Sequence, residues 1–391
     1  MPALRAPDSR PVGVVLLLLL QAASPGPRAA FDGAGFDAAV LQGITRGAYP
    51  GAALVVGRHD TILFARGYGR LTWSRASSQV SADSTIYDLA SLTKVLATTT
   101  AVMILVERGR VALDAPVVRY VPEFTGPGTE AITVRHLLTH TSGLRATLPL
   151  YRQAPGAGAA LAMALAATPI ARPGSRVLYS DVNAIVLGEV VRRAAGEPLD
   201  RFSEREIFTP LGLSQTLFRP PRRLAPRIAP TGVWHGRPVA GIVNDANAAK
   251  LGGVAGHAGA FSTAADVARF AQVMLRGGAL PNGRHVLRAE TVRVFTTRVP
   301  PPGGGREWRA LGWQAVPTGE EVSSAGTLFG PQSYGHTGWT GTSLWVDPER
   351  DLFVVLLTNR AYAPRARRSF TVVKDVRGRV ADAAARASDA R

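Results

Sequence analysis

Two groups of apolar, β-forming runs, one toward each end of the chain, constrain the fold more than any other feature of the sequence. Near the N-terminus, GAALVVG (Gly51–Gly57) and TILFARGYG (Thr61–Gly69) flank a short turn, a pattern typical of a β-hairpin. Toward the C-terminus, ALGWQAV, TSLWVDP and LFVVLLTN predict further strands, with a turn at Asp347–Asp351 between the last two. We therefore expect one antiparallel sheet built from both ends of the chain.

Helical periodicity fills the segment between these strands and returns after them. Thr263 and Asp266 predict a capping box at the start of one of these helices. We expect the helices to cover both faces of the sheet and to form a second, helical lobe, which makes the fold class α/β (α+β). The predicted helices are Leu92–Glu107, Ala159–Ala167, Val182–Ala195, Ala264–Leu275 and, last, about Thr371–Ala387.

The first thirty residues have the composition of an export signal. Arg5 and Arg10 precede the apolar run Val12–Ala23, and the small residues Ala29 and Ala30 offer a cleavage position. The sequence thus predicts a signal peptide at 1–30 and a single two-lobed domain at 31–391 in an exported protein, periplasmic or secreted. The apolar run is shorter than the ~20 residues that a membrane span needs, which favours a cleaved signal. Its retention as an uncleaved membrane anchor stays open.

The charge of the chain is strongly positive, with 45 Lys and Arg against 28 Asp and Glu among 391 residues. A basic balance can indicate nucleic acid, but these arginines are scattered and form no stripe interleaved with aromatic residues. We therefore expect no nucleic-acid partner. Only three residues of the chain are lysines, so the position of each lysine is informative.

Lys94 stands three residues after Ser91, at the start of an apolar helical run. Residues at i and i+3 share a helix face, so the serine hydroxyl and the lysine amine are expected to point the same way. The free N–H groups of a helix N-terminus favour negative charge near the serine oxygen. The pattern is typical of a nucleophile with an adjacent base, although Ser-x-x-Lys alone is a short motif.

Two later segments add to the Ser-x-x-Lys motif, so that three motifs follow one another along the chain. The second is Tyr179-Ser180-Asp181, before a helix, and the third is His336-Thr337-Gly338, which leads into TGTSLWVDP. In this order the three resemble the β-lactamase-related serine hydrolases, which include class C β-lactamases, penicillin-binding carboxypeptidases and esterases. The resemblance runs from about Phe36 to Asn359 and includes LDAPVVRYVPEF, ITVRHLLTHTSGL and LGW. GGVAGHAGAFST looks most like low-molecular-weight penicillin-binding proteins. The resemblance implies a β-lactamase/transpeptidase-like sandwich.

The resemblance also implies roles for individual residues. Ser91 would be the acylated nucleophile, Lys94 would take or relay its proton, and Tyr179 would act as base and then as acid toward the leaving group. The backbone N–H groups of Ser91 and Trp339 would form the oxyanion hole. No metal and no cofactor are implied. His136 and His140 invite a metal interpretation, but they fall in the structural framework of the family.

Two residues depart from the family pattern. Asp181 replaces the asparagine of Tyr-x-Asn, and a carboxylate near Lys94 favours the ammonium form, so a cationic Lys94 would stabilise a Tyr179 phenolate as the working base. His336 replaces the lysine of Lys-Thr-Gly, which helps to hold an anionic substrate end. A neutral imidazole would hold such a group less strongly, which favours esters or amides of lower charge over β-lactams.

The sequence therefore predicts an exported serine hydrolase that cleaves ester or amide bonds of a small-molecule or peptide substrate through an acyl-enzyme. The supporting residues around the substrate would be Asp181, His336, Thr337, Gly338 and His257, although His257 is equally well explained as a structural loop residue. The alternatives are a D-alanyl-D-alanine carboxypeptidase or endopeptidase acting on peptidoglycan, a β-lactamase, and a catalytically dead binding module.

Overall fold

The computed structural model describes residues 33–317 and 323–389. The predicted signal peptide at 1–30 lies outside these residues. A six-stranded antiparallel sheet joins both ends of the chain, which confirms the fold predicted from the two groups of strands; its order is β2-β1-β11-β10-β9-β8. Two smaller sheets have the orders β3-β7-β4 and β5-β6. The strands are β1 Gly51–Gly57, β2 Ile62–Gly69, β3 Tyr87–Asp88, β4 Leu217–Phe218, β5 Gly232–Trp234, β6 Arg237–Val239, β7 Ala260–Ser262, β8 Gln314–Ala315, β9 Tyr334–Thr337, β10 Ser343–Asp347 and β11 Leu352–Thr358.

The centre of the large sheet is formed by the N-terminal strand β1 and the C-terminal strand β11. They run antiparallel, with Leu54 opposite Leu356, and every residue of both strands is buried. Strands buried on both faces read as continuous apolar runs, because layers of helix cover each side. The first and last strands of the described chain thus hold one another in place.

Helices cover both faces of this sheet and build the second lobe. The first helix packs against the last, which also contacts β11, while α9 contacts both β1 and β11. Phe353, Val355 and Leu357 of β11 join the main core. The helices are α1 Ala34–Thr45, α2 Thr100–Glu107, α3 Val134–Leu138, α4 Leu150–Gln153, α5 Ala157–Leu165, α6 Asp181–Ala195, α7 Leu199–Ser203, α8 Ala246–Lys250, α9 Ala264–Leu275, α10 Ala289–Thr296 and α11 Ser369–Asp389.

Two local predictions were wrong in detail. The run ALGWQAV forms strand only at β8, because Gly312 has φ +84° and the N–H of Ala310 donates to the carbonyl of Trp313 in a turn. The capping box of α9 is half formed. Thr263 accepts the N–H of Asp266, but the Asp266 carboxylate turns away to accept the N–H of Gln215 at 2.7 Å.

One continuous helical segment, Ala90–Glu107, has the length and composition of a membrane span within the described residues. It lies inside the protein instead, with 83% of its 18 residues buried. This segment carries Ser91 and Lys94 through the core.

Candidate active site

Ser91 lies at the junction between strand β3 and this buried helical segment. Ala90–Leu92 forms a 3₁₀ turn, Lys94–Thr99 is π-helical, and α2 continues from Thr100. The segment is therefore not the uniform α-helix that the spacing predicted. A π-helical stretch inside a helix is rare and often marks a functional site.

The residue before the nucleophile candidate is strained. Ala90 has φ +47°, in the left-handed region that an alanine rarely adopts. The buried Asp88 holds it there, since one of its carboxylate oxygens accepts the N–H of Ala90 at 2.9 Å. The other oxygen accepts the N–H of Asn244, at 2.6 Å, on the rim of the cleft. Burial raises the pKa of Asp88 to about 6, although these two N–H groups lower it.

Lys94 contacts three oxygen atoms. Its Nζ donates to Ser91 Oγ at 2.9 Å, to Asp181 Oδ1 at 2.7 Å and to the carbonyl of His257 at 3.2 Å. An ammonium has three donors, so each has a partner. The lysine side chain is 4% exposed, and the Asp181 side chain is 26% exposed.

The environment of Lys94 favours its charged form. Burial by itself lowers the pKa of Lys94, but the attraction of Asp181 and Tyr179 outweighs it and raises the pKa above the usual value. A buried ammonium persists only when it is paired and hydrogen-bonded. Lys94 is therefore a fixed cation beside the serine.

Tyr179 is the second residue in contact with the serine hydroxyl. Its hydroxyl donates to Ser91 Oγ at 3.0 Å, and Lys94 Nζ lies 4.9 Å from the centre of its ring. The ring is also flanked by the Arg309 guanidinium at 5.1 Å and by the ring of His140 at 4.6 Å. Three cationic or polar groups thus surround one phenol.

Asp181 and Asn183, both in the first turn of α6, point in different directions. Asp181 opens the helix and points at Lys94. Asn183, two positions later, turns away and accepts the hydroxyl of Ser142 at 2.6 Å. Its amide also lies 3.2 Å from His140 Nδ1, which accepts the N–H of Ser180 as well. His136 instead caps α3 through Thr133, so the two histidines have separate structural partners.

Strand β9 forms the wall of the cleft opposite the helical lobe. His336 is buried, with its Nδ1 2.9 Å from the carbonyl of Thr337. Burial, together with the positive charges of Lys94 and Arg309, places the pKa of His336 well below its usual range. The imidazole is therefore neutral near pH 7.

Gly338 and Trp339 connect this wall to the serine turn. A Cβ on Gly338 would lie 2.5 Å from the carbonyl of Leu89, so a glycine is required for this close approach. Thr342 fastens the same contact by donating its hydroxyl to Leu89 at 2.8 Å. The side chain of Trp339 is 61% exposed and stacks on Phe370, with 5.7 Å between ring centres.

His257 forms a pair with a carboxylate that the sequence did not single out. His257 Nε2 lies 2.8 Å from Asp245 Oδ1. Burial raises the pKa of Asp245, but the hydrogen bond and charge of His257 more than reverse this effect and lower the pKa to about 2. Asp245 also caps α8, and an aspartate before the Ala-rich run ANAAK is a signal of that capping role alone.

These groups line one cleft of about 370 Å³ between the sheet and the helical lobe. A larger cavity of about 430 Å³ lies beyond Gly256 and contains none of the predicted catalytic residues. The cleft brings together the residues predicted for catalysis, the oxyanion hole and substrate support, except Lys94, which is buried beneath it. Its predicted members are Ser91, Tyr179, Asp181, His257, His336, Thr337, Gly338 and Trp339.

The sequence of this chain is similar to known proteins over most of its length. Residues 36–377 match the family model described as Beta-lactamase. A relative from Escherichia coli (strain K12), named "Putative D-alanyl-D-alanine carboxypeptidase", is 33% identical over 361 residues, covering 81% of this chain and 80% of the relative.

Solved structures share the fold. A penicillin-binding protein homologue from Caulobacter crescentus has a TM-score of 0.72 and 21% identity, over 92% of this chain and 98% of that one. EstCE1, described as a hydrolase with promiscuous acyltransferase activity, has a TM-score of 0.69 and 24% identity, over 89% of this chain and 97% of that one.

Proposed function

This chain belongs to the beta-lactamase family of serine hydrolases, and we propose that it hydrolyses ester or amide bonds through an acyl-enzyme on Ser91. One observation carries the proposal. Ser91 Oγ lies within hydrogen-bonding distance of the cationic Lys94 Nζ, at 2.9 Å, and of the proposed base, Tyr179 OH, at 3.0 Å. A nucleophile with a base in direct contact is the arrangement that covalent catalysis requires.

In the proposed mechanism, Lys94 stays protonated and Tyr179 moves the proton. The Tyr179 phenolate, stabilised by the Lys94 ammonium, takes the proton of the Ser91 hydroxyl while Ser91 Oγ attacks the substrate carbonyl. The backbone N–H groups of Ser91 and Trp339 would stabilise the oxyanion, a type of contact worth about 2.7–4 kcal/mol in the transition state. Tyr179 then protonates the leaving group, and water releases the acyl group from Ser91.

The test is a substrate panel combined with active-site labelling. We expect the purified chain to hydrolyse short-chain p-nitrophenyl esters and to react with a fluorophosphonate probe, and we expect Ser91→Ala to abolish both. Ser175→Ala, which alters an exposed serine outside the cleft, is the matched control and should leave both intact. Absence of labelling on folded protein would favour a binding-only module.

A D-alanyl-D-alanine carboxypeptidase is the second candidate, supported by the name of the 33% identical relative. Release of D-alanine from a peptide ending in D-Ala-D-Ala would distinguish it from an esterase of low-charge substrates. Nitrocefin serves as the β-lactam member of the panel. The neutral His336 in place of a lysine supports low turnover of nitrocefin.

We propose that the chain acts outside the cytoplasm, on the basis of the signal-like composition of residues 1–30. Fractionation of cells expressing the full chain should recover it in the periplasm or medium. The same chain without residues 1–30 should remain in the cytoplasm. Equal distribution of the two would contradict export.

A further inference from the structure

Strands β5 and β6 form a hairpin of their own, apart from the large sheet, and this segment exposes large apolar side chains. Val233 is 48% exposed, Trp234 is 70% exposed, and Ile242, which follows β6, is 61% exposed. Trp234 is the most exposed large apolar side chain in the described part of the chain. Three such side chains within ten residues indicate a surface that contacts another molecule.

These side chains lie beside the catalytic cleft but do not line it. The lining of the cleft reaches this segment only at residues 244–246. The hairpin is fastened to that rim, because Asn244 Nδ2 donates to the carbonyl of Thr231, just before β5, at 2.9 Å. The N–H of Thr231 donates in turn to the carbonyl of Val239 at 3.0 Å and closes the hairpin. Contact with a substrate at Ser91 therefore does not explain the exposed apolar side chains.

The same part of the chain carries positive charge without acidic residues. Between Glu206 and Asp245 the sequence contains five arginines and no Asp or Glu. Two of the five are engaged within the fold. The other three are exposed and form no ion pair with any described residue: Arg222, Arg223 and Arg237. The exposed charge of this segment is therefore positive and uncompensated.

The apolar and cationic side chains occupy neighbouring positions. Trp234 and Arg237 are paired across the hairpin, and residues directly opposite one another in an antiparallel pair share a face. The 3₁₀ turn Arg222–Arg227 adjoins the other end of the hairpin segment, because Pro220 and Ile242 line one shallow cavity. The arginines thus flank the exposed apolar side chains.

We propose that this segment is a docking surface for the anionic phospholipids of a membrane. We call it the Trp234 surface. Its members are Arg222, Arg223, Val233, Trp234, Arg237 and Ile242.

Each kind of side chain in the Trp234 surface fits a lipid headgroup layer. Tryptophan collects at membrane–water interfaces, because its ring is largely apolar and its indole N–H is polar. The guanidinium group matches the geometry of phosphate oxygens and carries the opposite charge. A soluble polyanion would also attract the arginines, but it would gain little from the aliphatic side chains of Val233 and Ile242. The combination therefore favours a lipid surface.

The test measures sedimentation with phospholipid vesicles. The chain without residues 1–30 is used, because the apolar run Val12–Ala23 would add a contact of its own and the described fold begins at Gly33. We expect about 100-fold tighter binding to vesicles that contain phosphatidylglycerol than to pure phosphatidylcholine, since each arginine near an anionic surface contributes about fivefold. Added salt should weaken this preference.

Arg222→Gln/Arg223→Gln/Arg237→Gln should remove most of the preference for anionic vesicles. The matched control removes the same charge from three separate exposed positions outside the Trp234 surface and should bind as the parent does. It is Arg110→Gln/Arg284→Gln/Arg367→Gln. Equal binding of the parent to both kinds of vesicle, or an equal loss in the two triple variants, would overturn the proposal.

Trp234→Ser tests the apolar part of the surface. We expect it to weaken binding to the anionic vesicles by at least about tenfold, because less apolar area leaves water, and to leave ester hydrolysis in solution unchanged. Leu41→Ser, at an exposed leucine of α1, is the control and should bind as the parent does. Since Trp234 is exposed, both variants should keep the melting temperature of the parent.

Heparin identifies the alternative occupant, a soluble polyanion. Tight binding to heparin that Trp234→Ser leaves unchanged, together with no binding to vesicles, would assign the arginines to such a polymer and overturn the proposal. Vesicle binding that both Trp234→Ser and the arginine variant weaken would support it. This inference concerns binding alone, so its outcome is independent of the proposed hydrolase activity.

Discussion

At the scale of single residues, the charge of Lys94 is decided by its neighbours. Ser-x-x-Lys predicts an amine beside a hydroxyl but leaves open whether the amine is a base or a cation. Asp181 lies 2.7 Å away and raises the pKa of Lys94 despite its burial. The hypothesis of a cationic Lys94 and a basic Tyr179 gains support from this contact.

Tyr179→Phe should therefore lower kcat/KM for an ester by about 100-fold or more, the range for loss of a general acid–base group. Lys94→Arg keeps the positive charge and should lose less. Tyr151→Phe, at an exposed tyrosine, is the control. Since Lys94 remains protonated, no ionisation of the parent between about pH 6 and 9 should disappear in Lys94→Arg. Near-normal activity of Tyr179→Phe would contradict the mechanism.

Asp88 offers a prediction on stability against pH. Burial raises its pKa from 3.8 to about 6, so the native state binds the proton more tightly than the unfolded chain. Ionising Asp88 thus costs stability as the pH rises from about 4 through about 6. Asp88→Asn lacks this cost, and its free energy of unfolding relative to the parent should improve by about 2.4 kcal/mol between pH 4 and pH 7.

Urea unfolding of both proteins across this pH range measures the difference. Asn replaces one accepting oxygen by a donor, so a pH-independent loss is expected in addition, from the N–H of Ala90 or Asn244. Asp83→Asn, at an exposed aspartate, should follow the parent at every pH. A constant difference between Asp88→Asn and the parent would show that Asp88 is not the titrating group.

At the scale of elements, helix α6 and the loop before β7 are held together by a contact between glycines. A Cβ on Gly256 would lie 1.8 Å from the carbonyl oxygen of Ala184 and 3.1 Å from the backbone nitrogen of Gly188. The same loop supplies the His257 carbonyl to Lys94 and the Gly256 carbonyl to Thr98 in the π-helical segment. The close approach therefore sets the position of Lys94.

Gly256→Ala should destabilise the fold by more than about 2 kcal/mol, because backbone must move to admit the methyl group. Activity should fall along with stability. Gly158→Ala is the matched control: Gly158 lies in α5 with no atom within 4 Å of the added Cβ. Because Gly158 is only the second residue of α5, its substitution should stabilise the fold by no more than about 0.5–1 kcal/mol. Thermal unfolding of both variants decides the matter, and equal melting temperatures would refute the argument.

At the scale of the whole molecule, the sheet depends on the last helix. Val373, Val376 and Val380 of α11 are buried, and α11 contacts both β11 and α1. Arg377 of the same helix donates to the carbonyls of Gly338 and Thr342 at 3.1 and 2.8 Å, beneath the wall of the cleft. Helix α11 therefore stabilises both the large sheet and the wall of the active-site cleft.

A chain that ends at Arg368 should lose its cooperative unfolding transition, since one face of β11 would be exposed to water. A chain that ends at Asp389 keeps the whole helix and should melt as the parent does. Circular dichroism during heating measures both. A folded, active chain ending at Arg368 would contradict the role assigned to α11.

Local patterns determined much of this protein before any tertiary contact was known. The alternation of strand and helix signals predicted a sheet from both chain ends, and three short motifs singled out Ser91, Tyr179 and His336. These signals are local, because hydrophobic periodicity and turn residues act over a few positions. The turn at Gly312 escaped them, since an apolar run with one glycine has the composition of a strand.

Only the tertiary structure decided what surrounds those residues. Lys94 meets Asp181 across 87 residues of sequence and the His257 carbonyl across 163. Asp88, Asp245 and Arg309 had no motif to single them out, yet they hold the serine turn, pair with His257 and flank Tyr179. Long-range packing sets the burial and the charge around each residue, and these two set the pKa of Lys94. The sequence thus determined which catalytic groups the chain carries, and the fold decided which groups surround them and, through burial and neighbouring charge, their ionisation.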